Sequence, residues 1–163
     1  MPEDSPFVAG FRNMYEGFCS AVEGYGDCDL YADKIRKWDF TKLLNQWIEV
    51  ATPMRCGFQV MNHGDMWLNN MMFKSDDEGN PLDVSMIDYQ GPFWASPAND
   101  ILYFLISSVA DDIKVEYFDE FIEHYHSQLT DALKQLKYDQ HIPTLAELHI
   151  DFLDKGFFGM LFV

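Results

Sequence analysis

The sequence predicts an α+β fold, mostly helical, with one small β-hairpin. Three observations lead there. Apolar residues recur at helical spacing at both ends of the 163-residue chain. Short apolar runs and one alternating stretch occupy residues 58–87. A dense cluster of turn formers at residues 76–81 divides those runs.

Taken in order, Phe7, Phe11, Met14, Tyr15, Phe18 and Val22 form the apolar stripe of a first helix, which Gly24 and Gly26 end. Residues 30–38 suit a short helix. Asp39 or Thr41 caps the next one, which carries Leu43, Leu44, Trp47, Ile48 and Val50 and stops at Pro53. Residues 58–61 are an apolar run leading into His63-Gly64-Asp65, and residues 70–73 are another. Leu82, Val84 and Met86 alternate with Asp83, Ser85 and Ile87, as a strand requires. The turn at 76–81 then joins two strands as a hairpin. After Pro97 the chain reads as helix. Residues 98–109 are apolar nearly throughout, which predicts a buried central helix. Phe118, Phe121, Ile122, Tyr125, Leu129, Leu133 and Leu136 form a stripe on one long helix over 112–138. Thr144 and Glu147 have the spacing of a capping box for a last helix.

The composition, 48% apolar and 16% aromatic, supplies a core for one domain. The 27 acidic residues against 11 basic ones give a net charge of −16. That balance excludes nucleic acid and anionic membrane surfaces as partners, because both need clustered Lys and Arg. It leaves a nucleotide possible, since magnesium and a few local cations mask the charge of the whole protein. Cys19, Cys28 and Cys56 form no CxxC pair and read as free thiols in a reducing compartment. No secretory signal follows Met1 and no apolar run reaches the length of a membrane span, so cytoplasm is the expected location.

The chemistry concentrates between Val60 and Gln90. Asp65 is followed by Asn70 five residues on, and Asp88 closes the alternating strand. Phosphoryl transfer needs a base to position the attacking hydroxyl and oxygen ligands to hold magnesium on the nucleotide phosphates. Base, then amide, then acid is the catalytic-loop order of kinases. Asp65 is the candidate base, and Asn70 and Asp88 are the candidate metal and nucleotide ligands. His63 joins the catalytic group by packing and hydrogen-bonding to shape the loop. Gly64 permits a tight backbone, and Asn69 either ligates or only caps the following strand, the second being preferred. Asp100, at the start of an apolar helix, has two structural readings. It complements the helix dipole, or it is a buried carboxylate accepting N–H bonds from the catalytic loop; the second is preferred. His124 and His126 are two apart on a helix and point to different sides, and His141 and His149 lack evident partners, so zinc is not expected.

Residues 63–70 (His-Gly-Asp-Met-Trp-Leu-Asn-Asn), 87–92 (Ile-Asp-Tyr-Gln-Gly-Pro) and 96–101 (Ser-Pro-Ala-Asn-Asp-Ile) resemble the ecdysteroid kinase-like family. This is the insect branch of the CHK-like kinases, related to choline kinase and aminoglycoside phosphotransferases. Residues 31–35 and 121–125 share the similarity. The resemblance implies a protein-kinase-like fold and ATP-dependent phosphorylation of a small-molecule alcohol, such as an ecdysteroid. It also implies Asp65 as base, Asn70 and Asp88 as Mg2+ ligands, and Asp100 as the brace of the loop. Family members carry an N-terminal lobe with a nucleotide-covering loop and a phosphate-binding lysine. Neither is found here: Gly24-Tyr25-Gly26 ends a helix, and no lysine lies in a strand before the motif. Residues 1–163 are therefore expected to be a single C-lobe, without the N-lobe and clipped at Val163, and inactive alone. The competing expectation is a pseudokinase-like module that binds a ligand or partner without catalysis. A metal-dependent phosphohydrolase would need more carboxylate or histidine ligands than the cluster offers.

Overall fold

The computed structural model describes residues 5–23, 34, 37–52 and 57–160. It divides into two compact units, residues 1–48 and 49–163. Described helices and two small antiparallel sheets make it α+β. The expected stops at Gly24, Gly26 and Pro53, most of the helix at 30–38, Cys28 and Cys56 lie outside the described residues.

In the first unit, α1 (Pro6–Glu23) and α2 (Phe40–Ala51) pack through Val8, Phe40 and Leu44, with Phe11, Tyr15 and Ile48 around them. Met14 and Phe18, on the same expected stripe, are exposed. The Ser5 hydroxyl accepts the Val8 N–H at 3.2 Å and so caps α1. Asp39 rather than Thr41 caps α2, its Oδ1 accepting the Lys42 N–H at 2.8 Å. The Arg12 guanidinium lies 4.3 Å from the centre of the Phe40 ring, close enough for a cation–π contact.

The second unit begins with β1 (Val60–Asn62), followed by a 3-10 turn at Leu68–Asn70, β2 (Met71–Ser75), β3 (Pro81–Met86) and β4 (Phe93–Ala95). β2 and β3 form the expected hairpin, with Met71 opposite Met86 and Phe73 opposite Val84. Asp76 organises its turn. One carboxylate oxygen accepts the N–H groups of Glu78 and Asn80 at 3.0 and 2.8 Å, and Gly79 takes a left-handed φ of 88°. β4 was not expected. It pairs antiparallel with β1, Asn62 facing Phe93 and Val60 facing Ala95. Three residues are too few for alternation to register in sequence.

Four helices follow: α3 (Ala98–Ser108), α4 (Asp111–Glu116), α5 (Phe118–Gln135) and α6 (Leu145–Met160). The single helix expected over 112–138 is corrected to α4 and α5. Tyr117 leaves helical geometry with φ −112° and ψ 19°. Its N–H still closes α4 on the Ile113 carbonyl, and its carbonyl starts α5 by accepting the Phe121 N–H. Directly after the break, Phe118 lies edge-on to Phe152, ring centres 6.1 Å apart, beside the fully buried Ile122. α5 ends at Gln135, and Lys137 just after it takes a left-handed φ of 55°. The core holds Ala98, Leu102, Ile122, Leu148 and Phe152, which bind α3, α5 and α6 together. The acidic positions 111, 112, 116, 119, 120 and 123 are exposed. Among the described residues, no helix is long and apolar enough to cross a membrane.

The capping box of α6 forms in both directions. Thr144 Oγ1 accepts the Glu147 N–H at 3.2 Å, and Glu147 Oε2 accepts the Thr144 N–H at 2.7 Å. These Thr144 bonds, then His141, hold the Glu147 carboxyl down at about 2, against an ordinary 4.5. The native state thus favours the ionised form. The resulting stability is present above about pH 4.5 and is lost as pH falls through about 2. Thermal unfolding from pH 6 to pH 2 should therefore show a smaller acid-dependent loss in Glu147→Gln than in the wild type. Parallel curves would contradict the linkage.

Candidate functional site

The site starts from Asn62 at the end of β1, which is fully buried. Its Nδ2 donates to the carbonyls of Val60 and Ala95, at 3.3 and 3.2 Å, and its Oδ1 accepts the Asp100 N–H at 3.3 Å. One amide thereby ties β1, β4 and the first turn of α3. The Asp100 carboxylate then accepts the His63 N–H at 2.5 Å and the Gly64 N–H at 3.0 Å. Burial pushes the Asp100 carboxyl up. The two N–H bonds and His63 oppose that shift without reversing it.

Gly64 is required where it stands. Its φ is 85°, and a Cβ there would meet the Gly91 carbonyl oxygen at 2.1 Å. The loop after β3 therefore lies directly against the loop after β1. His63 seals this contact. Its Nε2 bonds the Ile87 carbonyl at 2.8 Å, its ring centre is 4.4 Å from that of Tyr89, and its Nδ1 has no hydrogen-bond partner. The bond to a carbonyl places the ring proton on Nε2.

Asp65 and Asn70 are brought together. Asn70 Nδ2 donates to both the Asp65 carbonyl and Asp65 Oδ2, each at 2.9 Å. The other carboxylate oxygen accepts the Tyr103 hydroxyl at 2.8 Å. The chain between the two residues tightens through Trp67 N–H to Asp65 carbonyl and Asn70 N–H to Trp67 carbonyl, at 3.1 and 3.0 Å. Ser108 on α3 accepts the Leu68 N–H at 2.8 Å. Tyr103 has its phenol pushed up, first by burial and then by its bond to Asp65 and that residue's charge.

Asp88 follows directly after Ile87, whose N–H donates to the Asn70 carbonyl at 3.0 Å. It is exposed and takes a left-handed φ of 65°, a conformation Asp tolerates better than most residues. Asn69 is exposed in the 3-10 turn. A cleft of about 430 Å3 opens beside the loop, lined by Met61, Met66, Met86, Ile101, Phe104 and Tyr125 among others.

Among the described residues, no three His, Cys, Asp or Glu side chains are grouped to hold a metal ion. The donors of Asn70 and Asp88 are hard oxygens, and with Nδ2 turned to Asp65, the Asn70 Oδ1 faces away from that carboxylate. Such a pair suits magnesium, which keeps several waters and takes further oxygens from phosphates rather than from an all-protein cage.

Asn62, Tyr103 and Ser108 were missed by sequence reasoning. A signal existed for two of them. Asn62 is a polar residue on the inward face of a strand, and Tyr103 stands three residues after Asp100, on the same helix face. His126 bonds the Pro143 carbonyl at 2.8 Å and His141 bonds Glu147, so both serve local structure.

The model of the ecdysteroid kinase-like family matches residues 3–138 of the chain. The match contains the whole constellation just described. No curated protein and no solved structure matches.

Proposed function

The chain belongs to the ecdysteroid kinase-like family, and from that premise we propose that it is the C-lobe of an ATP-dependent phosphotransferase acting on an alcohol of a small molecule, with an ecdysteroid-like steroid as the acceptor class. The observation that carries the reading is the Asp65 carboxylate held by the Asn70 amide, while the Asn70 backbone is bonded to the residue before Asp88. Asp65 orients the acceptor hydroxyl and receives its proton. The acceptor oxygen bonds the γ-phosphorus as the bond from that phosphorus to ADP breaks. Asn70 and Asp88 would hold Mg2+, which supplies charge neutralisation on the nucleotide phosphates when bound. Asp100 and His63 keep the loop in shape from behind, through backbone bonds. The apolar lining of the cleft beginning at Met66, next to Asp65, supports a lipophilic acceptor.

Asp88→Ala tests the metal assignment in the protein expressed from its full reading frame. ATP binding should depend on Mg2+ in the wild type. The variant should need at least about tenfold more Mg2+ for the same occupancy, as loss of a metal-site group typically produces. An unaltered Mg2+ dependence would remove Asp88 from the site. Magnesium-dependent ATP binding with no transfer to any alcohol would favour the ligand-binding module instead.

A further inference from the structure

We propose that Tyr103 is a positioning residue for phosphoryl transfer, its hydroxyl fixing the orientation of the Asp65 carboxylate that meets the acceptor alcohol. The inference rests on the functional reading above. The geometry is a two-sided grip. Tyr103 donates to Asp65 Oδ1 at 2.8 Å from α3, and Asn70 donates to Oδ2 at 2.9 Å from the 3-10 turn. A carboxylate offers about four acceptor positions, two on each oxygen. One donor on each oxygen stops the group rotating and leaves one position per oxygen for an incoming hydroxyl. With Asn70 alone, the carboxylate would pivot about the remaining bond.

The grip is supplied by a helix packed into the core. Ala98, Leu102 and Leu105 bury the helix in the core, and Tyr103 itself is only 9% exposed. α3 meets the loop at successive points: Asp100 on the backbone of His63 and Gly64, Tyr103 on the Asp65 side chain, and Ser108 on the Leu68 backbone. The Ser107 hydroxyl donates to the Tyr103 carbonyl at 2.7 Å and shares a bond with Ser108 at 3.0 Å. The contact to the base is thus one of three from a single helix, and the only one of the three that reaches a reacting side chain. Burial and the Asp65 charge both keep the phenol protonated, so it acts as a steady donor.

The test is Tyr103→Phe, which removes one oxygen and leaves the packing. In the protein from its full reading frame, with Mg-ATP and ecdysone as the probe alcohol, kcat should fall by about tenfold to a hundredfold, the loss a displaced reacting group produces. KM for either substrate should stay within about twofold, because ground-state binding is untouched. An unchanged kcat overturns the proposal. So does a loss of rate fully accounted for by a smaller folded fraction, since that is what a structural role alone would give. A second readout needs no turnover. With tyrosines labelled at Cζ with carbon-13, the signal absent from Tyr103→Phe is that of Tyr103, and Asp65→Asn should displace it. A signal that does not move overturns the contact itself. If the wild type transfers no phosphoryl group yet the signal moves, the functional reading has failed, and the positioning role falls with it while the hydrogen bond stands.

Discussion

In the protein expressed from its full reading frame, Asp65→Ala is expected to lower phosphoryl transfer from Mg-ATP to ecdysone by about 10²–10⁴-fold, the range lost when a positioned base is removed. Helical content should survive, because Asp65 contributes nothing to the core of Ala98, Leu102, Ile122, Leu148 and Phe152. Stability should still drop by about 1–3 kcal/mol. The Tyr103 hydroxyl and the Asn70 amide both lose an acceptor in a half-buried site. Steady-state kinetics alongside circular dichroism and urea unfolding separate the two effects. Undiminished turnover in a folded variant would remove Asp65 as the base.

Asp100→Ala should cost more stability and nearly as much activity, by a different route. Two loop N–H groups, of His63 and Gly64, lose their shared acceptor at 2.5 and 3.0 Å. Leaving them unsatisfied is expected to destabilise the second unit by about 2–4 kcal/mol. The loop that carries Asp65 would then no longer be pinned to α3 at its start. Asp100→Asn does not repair this, since its amide turns an N–H toward one of the two N–H donors. Urea unfolding monitored by tryptophan fluorescence gives the stability change, and hydrogen exchange at His63 and Gly64 gives the local one. Protection of both amides equal to wild type would show that the carboxylate does not brace the loop.

What the sequence disclosed was mostly local. Asp65 and Asn70 sit five residues apart within one loop, and the Asn70 amide reaches back along that loop to bond Asp65. The Asp76 turn and the Thr144–Glu147 box are likewise made by residues within four positions of each other. The β2–β3 hairpin followed from the turn between two apolar runs. One long-range contact was read, the Asp100 carboxylate on the His63 and Gly64 N–H groups 37 and 36 residues away; the others escaped. Tyr103 meets Asp65 across 38 residues, and Asn62 meets Ala95 across 33. No spacing rule connects a strand-end amide to a carbonyl so far along the chain. The break at Tyr117 also escaped, because neither Pro nor Gly marks it. Phe118, directly after it, packs edge-on against Phe152, which is a matter of tertiary packing.

Paramagnetic broadening by Mn2+, substituted for Mg2+ in the ATP complex, probes the ion's location without requiring knowledge of the acceptor. The Asn70 side-chain amide and the Asp88 backbone N–H should broaden beyond detection, while those of Leu148 and Phe152 in the helical core keep their linewidths. Sharp signals from Asn70 and Asp88 at saturating Mn-ATP, or broadening spread evenly over the chain, would contradict a divalent cation held beside the Asp65 carboxylate.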